Sequence, residues 1–257
     1  MIFDTHAHYD DEKFNEDRYE LIETMHQNGI GNIINVGNDI ASSADSIALA
    51  KKYDFMYASV GVHPNEVGNM SDDDIEKLAN YAKYTKVVAI GEIGLDYYYD
   101  DVPADVQIKW FRKQLDLAYR LDLPVIIHSR DATQQTYDII KESRVRKGVI
   151  HAFSGSKEFA KLYTDMGFYI GVGGVVTFKN AKKLVESVET VDIDHILLET
   201  DAPYLSPTPF RGTRNNSQNL TYVVDKISEI KQISPEIVVR KTFENACTLF
   251  LKKKVVA

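Results

Sequence analysis

Histidine and carboxylate side chains end short apolar runs at regular places along this sequence. His6 and His8 close the run that starts at Met1, and their spacing of two residues places both rings on one face of a strand. Two imidazoles that point the same way can bind one metal ion. Similar positions at or near the ends of later apolar runs are occupied by Glu92, His128, His151 and Asp201.

These residues need a scaffold that brings the ends of separate strands together. The uniform apolarity of the short runs, rich in valine and isoleucine, is typical of parallel strands buried on both faces. We therefore predict eight strands, at Met1–His8, Gly31–Gly37, Phe55–His63, Lys86–Asp96, Pro124–Arg130, Gly148–Gly155, Phe168–Gly174 and Ile196–Tyr204.

Amphipathic stretches between the strands predict helices. The clearest is Ala104–Leu121, in which apolar residues recur at helical spacing. Ser71 followed by three aspartates is typical of a capped helix start. Ser234 and Pro235 supply a cap and a first-turn proline for a helix over Glu236–Leu251.

Eight strands alternating with helices in a chain of 257 residues predict an α/β protein, a (β/α)8 TIM barrel forming a single domain over residues 1–257. A doubly wound open sheet is the alternative, but no Gly-x-Gly-x-x-Gly follows any predicted strand. In a barrel, the carboxyl ends of the strands converge on one mouth, so the histidines and carboxylates would meet there.

Any one of these residues alone could equally be a hydrogen-bonded structural residue. Together they favour a metal site, because burying six polar groups near one axis is costly unless they are paired or bind metal. We predict that His6, His8 and Asp201 hold one divalent ion, that His128 and His151 hold a second, and that Glu92 bridges the two. Imidazoles suit zinc, and carboxylates also admit magnesium or manganese.

The sequence resembles the TatD-type metal-dependent deoxyribonucleases. The resemblance rests on short motifs in the family's order, from Ile2 past Arg214: Ile2–His8, Gly61–Pro64, Gly91–Asp96, Pro124–Arg130, His151–Gly155 and Glu199–Tyr204. It implies a barrel of the amidohydrolase group with the same six metal ligands. It also implies hydrolysis of DNA or another phosphodiester, by exonucleolytic cleavage from the ends of single strands.

Two positions depart from the family pattern. Ala152 stands where the sixth-strand motif often has cysteine, and strand alternation predicts that it faces away from His151. The loop Arg211–Asn215 resembles a late family motif but lacks the proline that usually follows soon after it.

The predicted reaction is phosphodiester hydrolysis with water activated by two metal ions. Asp201 is the candidate that orients the water and accepts its proton, with Glu92 as the other catalytic carboxylate. Phosphate contacts are predicted for four side chains, His63, Arg130, Arg211 and Arg214.

Two further carboxylates are predicted to support the ligands from behind. Glu199 shares the inward face with Asp201 one layer deeper, and Asp4 lies below His6 in the same way. Such a carboxylate can accept the free ring N–H of a ligating histidine. The rings of Tyr97–Tyr99, which leave the fourth strand toward the mouth, either stack on a nucleobase or pack over the rim.

The net charge of −8 excludes broad coating of duplex DNA, but a mouth that holds two divalent cations is locally positive. One cysteine, no signal-peptide pattern and no long apolar run predict a cytoplasmic chain away from membranes, with no obligate protein partner.

The alternatives are a metal-dependent deacylase, lactonase or amide hydrolase on the same barrel, and a scaffold protein without catalysis. Relatives with acyl substrates commonly bridge their metals with a carboxylated lysine, whereas Glu92 stands here. A scaffold would be favoured by a missing ligand, and all six are present.

Overall fold

The computed structural model describes residues 1–251 and shows one sheet of eight parallel strands in the order β1 to β8. The strands are β1 Ile2–Ala7, β2 Ile30–Val36, β3 Met56–Val60, β4 Val87–Asp96, β5 Val125–Arg130, β6 Gly148–Ile150, β7 Tyr169–Val172 and β8 Ile196–Leu198. The predicted TIM barrel is confirmed. Residues 252–257 of the predicted domain lie outside the described part.

Helices follow the strands around the outside of the barrel. They are α1 Arg18–Gln27, α2 Ile40–Lys52, α3 Asp72–Tyr81, α4 Ala104–Arg120, α5 Thr133–Glu142, α6 Lys157–Asp165, α7 Lys182–Thr190, α8 Leu220–Lys231 and α9 Pro235–Phe250. The predicted starts of α3 and α9 agree with the structure. Ser71 is the N-cap of α3, and at the start of α9 the Ser234 hydroxyl accepts the backbone N–H of Ile237. Within residues 1–251, no helix is long and apolar enough to cross a bilayer.

The barrel closes through a short seam between β1 and the chain that follows β8. Ala7 and Ala202 form a parallel bridge. The backbone N–H of Asp201 donates to the His6 carbonyl at 2.9 Å, and the N–H of His8 donates to the Ala202 carbonyl at 2.7 Å. This seam brings Asp201 beside the two histidines of β1.

The predicted third and seventh strands end two or three residues early, and the sixth and the eighth end five and six residues early, at Ile150 and Leu198. Ala152 has φ +42° and Asp201 has φ +59°, and these left-handed conformations are incompatible with a continuing strand. The prediction that Ala152 follows strand alternation is therefore wrong. Its backbone N–H instead donates to the Glu199 carboxylate.

An apolar cluster lies beneath the functional residues inside the barrel. Ile126 lies two residues before His128, and Val149 lies two residues before His151, so each pair shares a strand face. The same cluster includes the last turn of α9 through Leu249 and Phe250. The polar side chains therefore stand on a packed floor rather than over an open channel.

Gly94 lets β4 approach the backbone of β5 beside the site. Its φ is +152°, and a Cβ built there would lie 1.9 Å from the carbonyl oxygen of His128. A side chain at this position would push apart the two strands that carry Glu92 and His128.

We expect Gly94→Ala to lower the free energy of unfolding by at least about 2 kcal/mol, because backbone atoms of β5 block the new methyl group. Urea unfolding measures the change. Gly68→Ala is the matched control, since its Cβ would meet only Val102 at 3.7 Å. Equal stability of the two variants would contradict this account of the β4–β5 contact.

Candidate metal centre

The two histidines of β1 point into the mouth together. Their Nε2 atoms lie 3.1 Å apart, and both side chains are buried. Nδ1 of His8 lies 2.8 Å from the Val36 carbonyl, which can only accept a hydrogen bond, so Nδ1 carries the proton. The lone pair of His8 Nε2 is therefore directed toward the centre of the site.

The carboxylate of Glu92 lies between two groups of imidazoles. Its Oε2 is 3.4 Å from Nε2 of His6, and its Oε1 is 2.8 Å from Nδ1 of His128. Nε2 of His151 lies 3.9 Å from the same Oε1. One oxygen thus faces His6 of β1, and the other faces His128 of β5 and His151, which follows β6.

Asp201 faces the β1 histidines from the other side of the mouth. Its Oδ1 is 3.5 Å from Nε2 of His8 and 3.8 Å from Nε2 of His6. The same oxygen lies 3.7 Å from Nε2 of His151, whose ring stacks on His6 with centroids 3.5 Å apart. The side chain of Asp201 is 19% exposed, against 5% for Glu92, so Asp201 is the carboxylate that solvent reaches.

Asp96 supports His128 and was missed by the sequence reasoning. Its Oδ2 lies 2.9 Å from Nε2 of His128, and Oε1 of Glu92 lies 2.8 Å from Nδ1, so both ring nitrogens donate to carboxylates in the protein without a metal ion. Because Asp96 holds the Nε2–H group, Nδ1 is the nitrogen that would give up its proton to bind a cation. The signal was available, because Asp96 and Glu92 lie four residues apart on β4 and alternation puts them on one face.

Glu199 supports His151 from below. Its Oε1 lies 3.0 Å from Nδ1 of His151, within ion-pair distance although not aligned for a hydrogen bond. A Cβ at Gly171 would lie 2.1 Å from Oε2 of Glu199, so glycine there makes room for the carboxylate. Nδ1 of His6 is also buried without a hydrogen-bond partner among the described residues.

Asp4 contacts the backbone of His6 rather than its ring. Its carboxylate accepts the His6 backbone N–H at 3.2 Å, the Thr200 hydroxyl at 2.7 Å and the Ser217 hydroxyl at 2.6 Å. Burial raises the pKa of Asp4 to about 6, although these hydrogen bonds oppose the rise. Asp4 therefore joins β1 to the segments that follow β8 instead of setting a ring tautomer.

His63 enters the mouth as a neutral hydrogen-bond donor. Its Nδ1 accepts the backbone N–H of Asn65 at 3.2 Å, so the proton is on Nε2, which lies 3.9 Å from Oε1 of Glu92. Burial lowers the pKa of His63 to about 4, which keeps the ring uncharged near neutral pH. An Nε2–H group donates to an oxygen and cannot bind a metal ion without losing its proton.

The three predicted phosphate-binding arginines lie in different surroundings. Arg130 is exposed at the end of β5, and Arg211 is exposed in the loop after β8. Arg214 is engaged with the Asp17 carboxylate and the Lys13 carbonyl at the rim. Phosphate contact by these residues stays a prediction.

Asn215 shapes the loop that lacks the family's proline, and it was not singled out from the sequence. Its side-chain amide donates to the carbonyls of Thr200 and Tyr204 at 3.0 and 2.8 Å. The buried amide thus holds the backbone on both sides of Asp201. The motif Arg211–Asn215 contains this residue, but the spacing did not indicate which carbonyls its amide contacts.

Charges inside the site shift the pKa values of its carboxylates and imidazoles. Burial alone would raise the pKa of Glu92, but the charges of His151 and His6 and the hydrogen bond from His128 hold it well below its usual range. Burial likewise opposes protonation of His8, yet its hydrogen bond and attraction to Asp201 raise its pKa to about 9. In the protein without a metal ion, protons on such rings balance the carboxylates, and a divalent cation would replace them.

The donor atoms fit a metal ion. Among residues 1–251, ligand atoms within 4.8 Å of one another occur in three groups: His6 with His8 and Glu92, His63 with Glu92 and His128, and His6 with His151 and Glu199. The His63 group is the weakest of these, because the ring nitrogen that faces Glu92 carries a proton. Imidazole nitrogens and carboxylate oxygens at this spacing are a donor set that zinc, manganese and related ions accept.

Known proteins are similar in sequence to nearly the whole of this chain. The family described as TatD related DNase matches residues 3–251. The uncharacterized metal-dependent hydrolase YabD of Bacillus subtilis is 42% identical over 252 residues, which is 97% of this chain and 99% of YabD.

Solved structures agree with the sequence comparison. The crystal structure of YjjV, a TatD homologue from Escherichia coli, superposes with a TM-score of 0.93 at 34% identity and covers 98% of each chain. A TatD family hydrolase from Entamoeba histolytica has a TM-score of 0.89 at 23% identity, again with 98% of each chain covered, and supports the fold alone.

We expect Asp96→Ala to weaken binding of zinc by about 10- to 100-fold, because His128 loses the acceptor that sets its tautomer. Competition with a chromophoric chelator measures the affinity, and Asp96→Asn, which keeps an acceptor oxygen, should recover part of it. Asp101→Ala, at an exposed aspartate five residues along, is the control. Zinc affinity in Asp96→Ala equal to that of the control would show that Asp96 does not position His128.

Proposed function

This chain belongs to the TatD-related DNase family of metal-dependent hydrolases, and from that premise we propose that it is a deoxyribonuclease that hydrolyses phosphodiester bonds in single-stranded DNA. The observation that carries the proposal is the placement of Glu92, whose two oxygens face separate groups of imidazoles. A carboxylate in that position can bridge two cations, an arrangement suited to phosphoryl transfer.

We assign the ligands by the side of Glu92 on which they lie. His6, His8 and Asp201 would hold one divalent ion, and His128 with His151 would hold the other. Bound ions would act as Lewis acids that lower the pKa of water and polarise the phosphoryl oxygen. The residues themselves hold the geometry, because three of the rings have a carbonyl or carboxylate behind the nitrogen that faces away from the centre.

Asp201 is the residue that we assign to the attacking water. Its Oδ1 faces three Nε2 atoms, while the side chain keeps contact with solvent. The water oxygen forms the new bond to phosphorus, and one water proton passes to the Asp201 carboxylate. The bond from phosphorus to the leaving sugar oxygen breaks with its electron pair on that oxygen, which takes a proton from solvent. The charges of the neighbouring histidines hold the pKa of Asp201 low against the effect of burial, so the carboxylate is ionised before the reaction.

His63 is assigned to a phosphoryl oxygen. Its Nε2–H is fixed by the hydrogen bond that Nδ1 accepts from Asn65, and its neutrality lets it approach the cation site without repulsion. A fixed donor aimed at the place where negative charge grows stabilises the transition state more than the substrate.

The proposal predicts that chelation abolishes hydrolysis of end-labelled single-stranded DNA. Glu92→Ala and His128→Ala should each lose more than about 100-fold in kcat with unchanged circular dichroism, because several kcal/mol of electrostatic stabilisation is removed. His195→Ala is the matched control and should keep wild-type activity, because His195 directly precedes the amino end of β8, whereas the site lies at the carboxyl ends of the strands. Single- and double-stranded DNA are compared in magnesium, manganese and zinc.

A panel of acyl esters, lactones and amides is run beside the DNA substrates. Turnover of an acyl substrate with no phosphodiester hydrolysis in any metal would overturn the nuclease assignment in favour of the acyl hydrolases. Full DNA hydrolysis by Glu92→Ala would overturn the bridging role of that carboxylate.

We expect His63→Ala to lower kcat by about 10- to 100-fold while metal content stays at the wild-type level, because a donor and not a ligand is lost. His63→Gln, which keeps an N–H group, should retain more activity than His63→Ala. Steady-state kinetics and metal analysis of the same preparations test this. A fall in bound metal that matches the fall in kcat would make His63 a ligand instead.

A further inference from the structure

Arg130 and Arg211 differ from the other arginines of the described chain. Within residues 1–251, their guanidinium groups have neither a hydrogen bond nor an ion pair to the protein, and each lies over an aromatic ring. The remaining arginines donate to carboxylates or carbonyls: Arg18, Arg112, Arg120, Arg144, Arg146, Arg214 and Arg240.

The first of the two arginines belongs to an aromatic platform beside His128. The guanidinium carbon of Arg130 lies 3.7 Å from the ring centroid of Tyr98 and 5.2 Å from that of Tyr99. The two rings meet edge to face, with centroids 4.9 Å apart, and are 58% and 46% exposed. Large, exposed aromatic surface this close to a polar site is available to a ligand.

The second arginine forms a smaller platform on another part of the rim. The guanidinium carbon of Arg211 lies 4.5 Å from the ring centroid of Phe178, which directly follows the turn Gly174–Thr177 after β7. The Thr177 hydroxyl accepts the backbone N–H of Thr208 at 2.8 Å, so the loop that carries Arg211 is tied to the loop that carries Phe178.

The two platforms lie on different sides of the candidate metal centre. The Arg130–Tyr98 platform lies at the carboxyl ends of β4 and β5, where Arg130 pairs with Asp96 two steps beyond the His128 pairing. The Arg211–Phe178 platform follows β7 and β8. Because the eight strands run in sequence order around the barrel, more than a third of its circumference separates the two platforms.

We propose that these platforms are two nucleobase-stacking positions that hold a single strand across the mouth, with the scissile phosphate between them; this rests on the proposed nuclease function. At each position a base stacks on the aromatic ring or the guanidinium plane, and the N–H groups of the arginine donate to an adjacent phosphate. The preferred substrate is therefore an oligonucleotide with bases on both sides of the cleaved bond, and not an isolated nucleotide.

The chemistry of the platforms matches a single strand. A guanidinium without a protein partner keeps all its donors for phosphate oxygens, and its planar face stacks as an aromatic ring does. Stacking on an aromatic ring or a guanidinium plane accepts every base, because each base has a π face, and it requires bases that are not paired within a duplex. The net charge of −8 disfavours binding of a strand over the whole surface, so the strand is held by local cations and stacking.

The test uses single-stranded pentadeoxyadenylate and five versions in which one nucleotide at a time lacks its base. Tyr98→Ala and Phe178→Leu are compared with the wild type, and Tyr119→Ala is the matched control. Tyr119 is 46% exposed with Arg144 at 4.1 Å from its ring centroid, the same kind of pair on the outer surface of α4. Steady-state kinetics give kcat and KM, and calorimetry on the same substitutions in an Asp201→Asn background gives Kd.

We expect Tyr98→Ala and Phe178→Leu each to raise KM and Kd by about tenfold with little change in kcat, because stacking is lost from substrate and transition state alike. The effect of Tyr98→Ala should vanish when one nucleotide lacks its base, and the effect of Phe178→Leu should vanish at a different nucleotide. Tyr119→Ala should behave as the wild type with every strand.

The outcomes separate the two proposals. If DNA is cleaved but neither the missing bases nor the two substitutions change KM or Kd, the platforms are overturned and the nuclease assignment stands. Base-dependent binding that Tyr98→Ala weakens, with no turnover in any metal, would support the platforms and overturn the nuclease. If the protein neither binds nor cleaves these strands, both proposals are overturned. If both substitutions respond to the same missing base, the placement of the strand across the mouth is overturned.

Discussion

The buried carboxylate of Glu92 among four imidazoles is the constraint on which the site depends. A charged carboxylate removed from water is destabilising unless opposite charges or hydrogen-bond donors surround it. Here the neighbouring histidines hold the Glu92 pKa low, and they reach it from β1, β5 and the residue after β6. The same arrangement that stabilises the negative charge creates a place where divalent cations replace protons.

The barrel delivers this arrangement because its polar residues stand at one end of a packed apolar interior. Leu249 and Phe250 of α9 close the other end, so the ligands rest on a floor that cannot shift freely. At the seam, two backbone hydrogen bonds and the Ala7–Ala202 bridge join β1 to the chain that follows β8. Because Asp201 lies outside a continuing strand, its side chain turns toward the β1 histidines while these bonds keep the barrel closed.

The sequence predicted the barrel, its eight strands and the residues that meet at its mouth, because the carboxyl ends of the strands in a parallel barrel all lie at one mouth. It could not predict where β6 and β8 end, since the positive φ of Ala152 and Asp201 depends on contacts distant in sequence. Strand alternation on β4 could have placed Asp96 on the face of Glu92 and was overlooked, whereas the tautomer of His63 depends on the local turn that brings the Asn65 N–H to its Nδ1. A hydrogen bond that selects one ring nitrogen has no signature in residue spacing alone.

Anomalous diffraction at the zinc absorption edge from zinc-loaded crystals would show whether Glu92 lies between two divalent ions. We expect two peaks about 3.5–4 Å apart, one beside His6, His8 and Asp201 and the other beside His128 and His151, with one Glu92 oxygen near each. A single peak, or two peaks of which one does not contact Glu92, would contradict this arrangement.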